Sequence, residues 1–304
     1  MYTTPLSHRI DSNSVEHEMF ADDTQLCKST CPTESDSLVL SLQECTEDVK
    51  VWMNTNKLKL NDDKTEAIRF STPSLDRENP IPDTILLGTC EIPFSKKVKD
   101  LGFTLDAHLT MKQHVITVCQ AGYYELKRIA SIRHFLTEEA TKILVTSCIL
   151  SRIDYCNSLL SGVPVSTIQP LQTLQNSAAR LVCKVSRTQH CTPLLFSLHW
   201  LPVTQRIKYK ICCLCFKVIT NSAPLYLSQL LQVYSPSRTV RSSQDTRRFK
   251  VFRYKRKQHG FRSFSRFGPI IWNELPYNVR NSQSLPSFKT NLKTHLFKQH
   301  FVAD

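Results

Sequence analysis

Apolar positions along this 304-residue chain follow two different periods, and the change from one to the other organises it. In the first third they alternate over short runs. His17–Ala21 and Thr24–Cys27 read as two strands of a hairpin around Asp22-Asp23. Leu38, Leu42, Cys45, Val49 and Trp52 then recur at three and four, which predicts a helix with one apolar stripe. Asn54–Asn56 ends it and Asn61–Asp63 marks a turn. Ala67–Phe70 is strand-like, Pro73 to Pro93 reads mostly as loop with one strand at Thr84–Leu87, and Val98–Leu105 as a short strand with a glycine kink. Beyond residue 106 the helical period takes over. Val115, Val118, Cys119, Gly122, Leu126 and Ile129 form one stripe. Thr137 before Glu138 and Glu139 is a helix start, a hydroxyl cap with negative charge beside free amides. Ala140, Ile143, Leu144, Ser147 and Cys148 continue that helix. Pro170 suits the first turn of a third helix through Leu171, Leu174, Ala178, Leu181 and Val182, and Pro202 opens a fourth through Ile207, Ile211 and Leu214. Strands giving way to helices predict an α+β class, with expected divisions 1–105, 106–235 and 236–304.

Composition narrows the class. At 41% hydrophobic and 21% charged, the chain is of globular type, not wholesale disorder. No apolar run approaches the roughly 20 residues that span a bilayer; Ile211–Phe216 lies between Lys210 and Lys217. Residues 1–10 lack the basic-then-apolar pattern of a secretory signal. The expectation is an intracellular protein, nuclear or cytoplasmic, neither secreted nor in a membrane. Its 12 cysteines form no Cys-x-x-Cys pair, and Cys27-x-x-x-Cys31 has no second half nearby. In a reduced compartment most of them serve as small core hydrophobes.

Charge is divided along the chain. Residues 1–100 carry 11 Lys and Arg against 18 Asp and Glu, and residues 101–304 carry 28 against 8. The densest stretch, 238–266, includes Arg247, Arg248, Lys250, Arg253, Lys255, Arg256, Lys257 and Arg262. Phe249, Phe252, Tyr254, Phe261, Phe264 and Phe267 are interleaved with them. Cations beside aromatic faces suit single-stranded nucleic acid, where phosphates pair and bases stack; the alternative is a solvated basic face over a small core.

The most pointed chemistry is Phe20-Ala-Asp-Asp23. Neighbouring side chains of a strand diverge, but at the tip of a tight hairpin two carboxylates can lie near one divalent ion. Mg²⁺ prefers such oxygens and completes its shell with water and substrate phosphate. By itself, Asp-Asp in a turn is ordinary turn chemistry. Its surroundings add to it: Trp52-Met-Asn54, Asn56-Lys-Leu-Lys-Leu-Asn61, Lys64-Thr-Glu66, Asp100-Leu-Gly102, Ser147 to Asn157, Leu198-His-Trp-Leu-Pro202, Arg206-Ile-Lys-Tyr-Lys210, Gly260-Phe-Arg-Ser-Phe264 and Trp272-Asn-Glu-Leu-Pro276, with Phe288-Lys289 and Leu292-Lys293. In that order, over essentially the whole chain, these blocks resemble the reverse transcriptases of non-LTR (LINE-type) retrotransposons.

The resemblance implies an RNA-directed DNA polymerase, using Mg²⁺ and acting on an RNA template and a DNA primer or their hybrid. Residues 1–105 would be part of the polymerase palm, 106–235 a helical thumb and 236–304 a basic carboxyl-terminal region. Asp22 and Asp23 would be metal-binding carboxylates, with Asp22 the more essential. Lys64 would lie near the incoming nucleotide as a general acid, or else be a solvated turn lysine. Leu101 and Gly102 would grip the primer end. The family's further catalytic Asp and its fingers lie upstream of these blocks, and Asp11 does not sit in that motif. The expectation is therefore a carboxyl-terminal part, inactive by itself, with weak or no Mg²⁺ binding. The alternatives are a non-enzymatic nucleic-acid-binding module and a relic reading frame. Elsewhere, His190 beside Cys191 is a nucleophile–base pair on paper, His199 reads as a packed, hydrogen-bonded histidine, and Trp200 and Trp272 read as core aromatics.

Overall fold

The computed structural model describes residues 4–31, 34–78, 83–87, 90–235, 247–252 and 262–302. The chain is of mixed α+β class and divides into two compact units, Met1–Thr110 and Met111–Asp304.

The first unit holds the strands. Helix α1 (Thr4–Ser12) leads into β1 (Glu16–Phe20), which pairs antiparallel with β2 (Asp23–Cys27), followed by the long helix α2 (Ser35–Thr55). Alternation in the hairpin puts His17, Met19, Thr24 and Leu26 on a half-covered face. Met19 and Leu26 pack on a core of Leu6, Ile10, Val15, Cys45, Val49 and Trp52. An isolated two-stranded hairpin is marginal in water; here the two helices supply the apolar cover.

Further on, Pro73 to Pro93 contains more structure than its prolines suggest. It forms a short helix, α3 (Pro73–Glu78), and a hairpin of β3 (Thr84–Leu87) with β4 (Cys90–Pro93). This hairpin and Val39 of α2 bury Ile85, Leu87 and Ile92 together. Ala67–Phe70 forms no strand; Ala67 makes one isolated parallel bridge with Phe94. The expected single strand Val98–Leu105 is two, β5 (Lys97–Asp100) and β6 (Phe103–Asp106), reversing at Leu101-Gly102. Periodicity alone reads through the turn.

The second unit is helical. Helix α4 (Lys112–Ile132) buries His114, Val115, Cys119, Gly122 and Ile129. Burial pushes the Cys119 thiol up to about 11. A Cβ on Gly122 would lie 2.4 Å from Leu174 Cδ2, so this glycine sets the approach of α4 to α7 (Val165–Cys183). Helix α5 (Glu138–Val145) starts where Thr137 Oγ1 accepts the Ala140 amide at 3.1 Å. It continues through a π-helical stretch, Thr146–Leu150, into α6 (Ser151–Asp154). The buried positions are Thr141, Val145, Ile149, Leu150 and Ile153, not the expected stripe, and Ile143 faces solvent. Helix α7 starts at Val165 under a Pro164 cap, five residues before the expected start, and Pro170 lies inside it.

Arginine side chains close several chain ends. Arg133, on the short 3₁₀ turn after α4, is buried and donates to the carbonyls of Leu181, Val182 and Leu136 at 2.7–2.9 Å. This satisfies carbonyls that the end of α7 leaves open. Helices α8 (Cys191–Ser197) and α9 (Val203–Ile219) follow, then the short α10 (Leu225–Gln229). On α9, Ile207, Ile211, Cys212, Cys215 and Phe216 are buried. Against α9 pack α11 (Phe264–Glu274) and α13 (Leu285–Phe301), with the short α12 (Tyr277–Arg280) between them in sequence. The Phe216 and Phe288 rings stack at 4.4 Å, and Trp272 adds its ring 5.5 Å from Phe288. The described parts of 236–304 thus belong to the same compact unit as the helices before them.

All described cysteines are free thiols, and Cys212, Cys213 and Cys215 are buried, with burial raising each thiol pKa. Among the described residues no helix is long and apolar enough to cross a membrane.

Candidate functional site

The register of the first hairpin pairs Phe20 with Asp23, leaving Ala21-Asp22 as a two-residue turn. Ala21 has φ +58°, while Asp22 does not lie in the left-handed region. A β-carbon at positive φ costs about 1–2 kcal/mol, and a glycine there would relieve it. Asp22 and Asp23 are both exposed. On the open face of the hairpin, Asp23 stands opposite Phe20, itself 65% exposed, and Glu18 stands opposite Gln25.

The second tight turn, Leu101-Gly102, has φ of +43° and +86°, both positive as a type I′ turn requires. Leucine at such a position is a backbone outlier. Its side chain is 44% exposed. The Gln25 side-chain amide donates to the Asp100 carboxylate, the residue just before this turn. One hydrogen bond therefore joins the open face of the first hairpin to the base of the second turn. Nothing in the sequence pairs Gln25 with Asp100; only the fold does.

Lys64 lies on a 3₁₀ turn, Asp62–Lys64, and is exposed. The structure places it in no ion pair with Asp22 or Asp23. Asp11 lies on α1, 3.5 Å from Nδ1 of His17, whose Nε2 is 2.7 Å from Ser7 Oγ. These contacts tie α1 to β1 and keep Asp11 in another cluster. Among the described residues no group of three His, Cys, Asp or Glu side chains is placed to hold a metal ion. The turn offers two carboxylates, short of the oxygen shell that Mg²⁺ requires.

The basic residues separate by what they touch. Arg247 Nη1 donates to the carbonyls of Arg280 and Ser282 at 3.1 and 2.9 Å, and its own carbonyl accepts Trp272 Nε1 at 2.8 Å. Arg247 is a pin inside the fold, not a free cation. Arg280 is fully buried and donates to the carbonyls of Leu275 and Arg247. Phe249, expected among the stacking aromatics, is buried 5.9 Å from Trp272. The Arg248 carbonyl accepts the Tyr234 amide, and Lys250 is exposed with Nζ 5.2 Å over the Phe252 ring. Arg262 is half-buried beside Gly162. Arg253, Lys255, Arg256 and Lys257 lie outside the described residues.

Within the block from Ser147 to Asn157, Asp154 pairs with Arg206 at 2.5 Å. Burial raises the Asp154 carboxyl pKa, while Arg206 and Lys210 pull it down. Cys191 is buried, its Sγ 3.9 Å from the carbonyls of Asn176 and Gln189, and burial raises its thiol pKa. That is the opposite of an activated nucleophile. Trp200 and Trp272 are core residues. His199 departs from expectation: it is exposed, at φ +56°, and stacks on Phe297.

Comparison with known proteins gives no match: no family model, no curated protein and no solved structure is significantly similar to this chain.

Proposed function

We propose that this chain is the carboxyl-terminal part of an RNA-directed DNA polymerase of the non-LTR retrotransposon type. In this reading residues 1–105 belong to the palm and the helices after them to the thumb, and the second unit holds nucleic acid. The observation that carries the reading is the pairing of two tight turns. The Asp22-Asp23 turn and the Leu101-Gly102 turn are linked by Gln25 and Asp100 across 75 residues. A polymerase needs its metal-binding carboxylates and the group that seats the primer end held at a fixed separation, because in-line transfer tolerates little misplacement.

Mg²⁺, when bound in a complete enzyme, would activate the primer hydroxyl and stabilise the leaving pyrophosphate. Asp22 and Asp23 would contribute two of its oxygen ligands. Exposed Leu101 gives the primer end an apolar contact on a tight turn. Alone, the chain binds nucleic acid without extending it.

Fluorescence anisotropy with a labelled primer–template tests this. The chain should prefer a recessed 3′ end to a blunt duplex, and Leu101→Asp should remove the preference without changing duplex affinity. Equal affinity for the two ends in the unaltered chain would contradict the assignment of this turn.

A further inference from the structure

The second unit carries an aromatic surface patch outside the basic stretch 238–266. Phe196 on α8 meets Phe297 and Phe301 on α13, with ring centroids at 5.3 and 5.7 Å. Phe297 and Phe301 are 4.6 Å apart, and the His199 ring stacks on Phe297 at 5.7 Å and 16°. This is not a closed core: Phe196 is 48% exposed, His199 is exposed, and Phe297 and Phe301 are half-buried.

Two further features bear on this patch. The first is the turn that places His199. After α8, the His199 amide donates to the Phe196 carbonyl and the Trp200 amide to the Leu195 carbonyl, a Schellman ending. Its left-handed position is one where glycine costs least, yet histidine occupies it at φ +56°. Its ring joins the patch by stacking on Phe297. The second is charge. Lys293, Phe297 and Phe301 follow one another at intervals of four along α13, with Lys298 and His300 beside them. Helices α7, α8, α9, α12 and α13 contain no Asp or Glu.

We infer that this patch is a stacking platform for single-stranded nucleic acid, its bases on Phe196, His199 and Phe297 and its phosphates at Lys293 and Lys298. The inference rests on the reading of the second unit as nucleic-acid-binding. Exposed rings accept any base face, and α7, α8, α9, α12 and α13 carry no acidic side chain to repel a phosphate chain.

The test uses the whole chain with fluorescein-labelled oligothymidylate, oligouridylate and a blunt duplex. Phe196→Ala and Phe297→Leu should each weaken single-strand binding roughly tenfold and leave duplex binding unchanged. Lys293→Gln should lower the salt slope of log K by about 0.7. The oligothymidylate and oligouridylate arms show which sugar is preferred, and binding of either supports the platform. Ultraviolet crosslinking of the unaltered chain to a halogenated oligonucleotide should give adducts on the α8 or α13 peptides. If the chain binds single strands but these variants bind equally and adducts map elsewhere, the platform is refuted while the nucleic-acid reading stands. If it binds neither single strand nor duplex, both fail. Association that is insensitive to salt and to oligonucleotide would make the patch a protein-docking surface.

Discussion

Ala21 and Leu101 each hold a β-carbon at positive φ where glycine is the relaxed choice. Ala21→Gly should stabilise the first unit by about 1 kcal/mol in urea unfolding, with no loss of nucleic-acid affinity. Leu101→Gly should stabilise it similarly and lose the preference for recessed ends, since there the side chain is the reason for the strain. His114 allows a pH test. It is buried, and burial lowers its pKa to about 4 against an ordinary 6.5. The unfolded chain therefore takes up this proton first as pH falls. The contribution is complete above pH 6.5 and is lost towards pH 4, by up to about 3 kcal/mol. The stability difference between the unaltered chain and His114→Asn should shrink over that window; a constant difference would show that His114 protonates equally in both states. Arg247 marks the limit of reading charge from sequence. Its place in a basic run suggested a phosphate contact, but its guanidinium closes carbonyls at the end of α12. Arg247→Ala should lower thermal stability, whereas the exposed Lys250 can be changed to Ala with little effect on melting.

Among the elements, the α4–α7 contact turns on Gly122. Gly122→Ala would drive a methyl into Leu174, which is fully buried, and should cost about 1–3 kcal/mol in thermal or urea unfolding. Combining it with Leu174→Val should recover part of the loss; simple additivity would mean the two positions do not compete for space. Long helices with a clear stripe were legible in the chain: α2, α4 and α9 lie where their apolar spacing places them. The Thr137 cap was legible too, because its hydrogen bond is local. Other features needed tertiary information. Along α5 and the π-helical stretch after it the buried positions Thr141, Val145 and Ile149 recur every four residues, starting from a threonine, so the apolar 3.6-residue period selected the wrong face. Helix α13 hides its core side, because Phe288, Leu292 and Leu296 make a narrow stripe between lysines. The turn at Leu101-Gly102 looked like a kink, since a leucine at positive φ has no sequence signal. Asp22 and Asp23 stood out in the chain, but their link through Gln25 to Asp100 did not.

Over the whole molecule, charge and architecture divide nearly together. Residues 1–100 are net acidic, while residues 111–304 carry 28 Lys and Arg against 7 Asp and Glu. Nucleic-acid affinity should therefore fall steeply with salt through contacts of the second unit. The first unit supplies the paired turns, and the central claim is that Asp22-Asp23 is the carboxylate pair of a polymerase. Primer extension on an RNA template in Mg²⁺ tests it most directly, with this chain alone and with the chain joined behind the fingers and upstream palm of a retrotransposon polymerase. The account predicts no extension by the 304 residues alone, and extension by the joined protein that Asp22→Asn abolishes. Extension by the joined protein that survives Asp22→Asn, or catalysis by this chain alone, would contradict it.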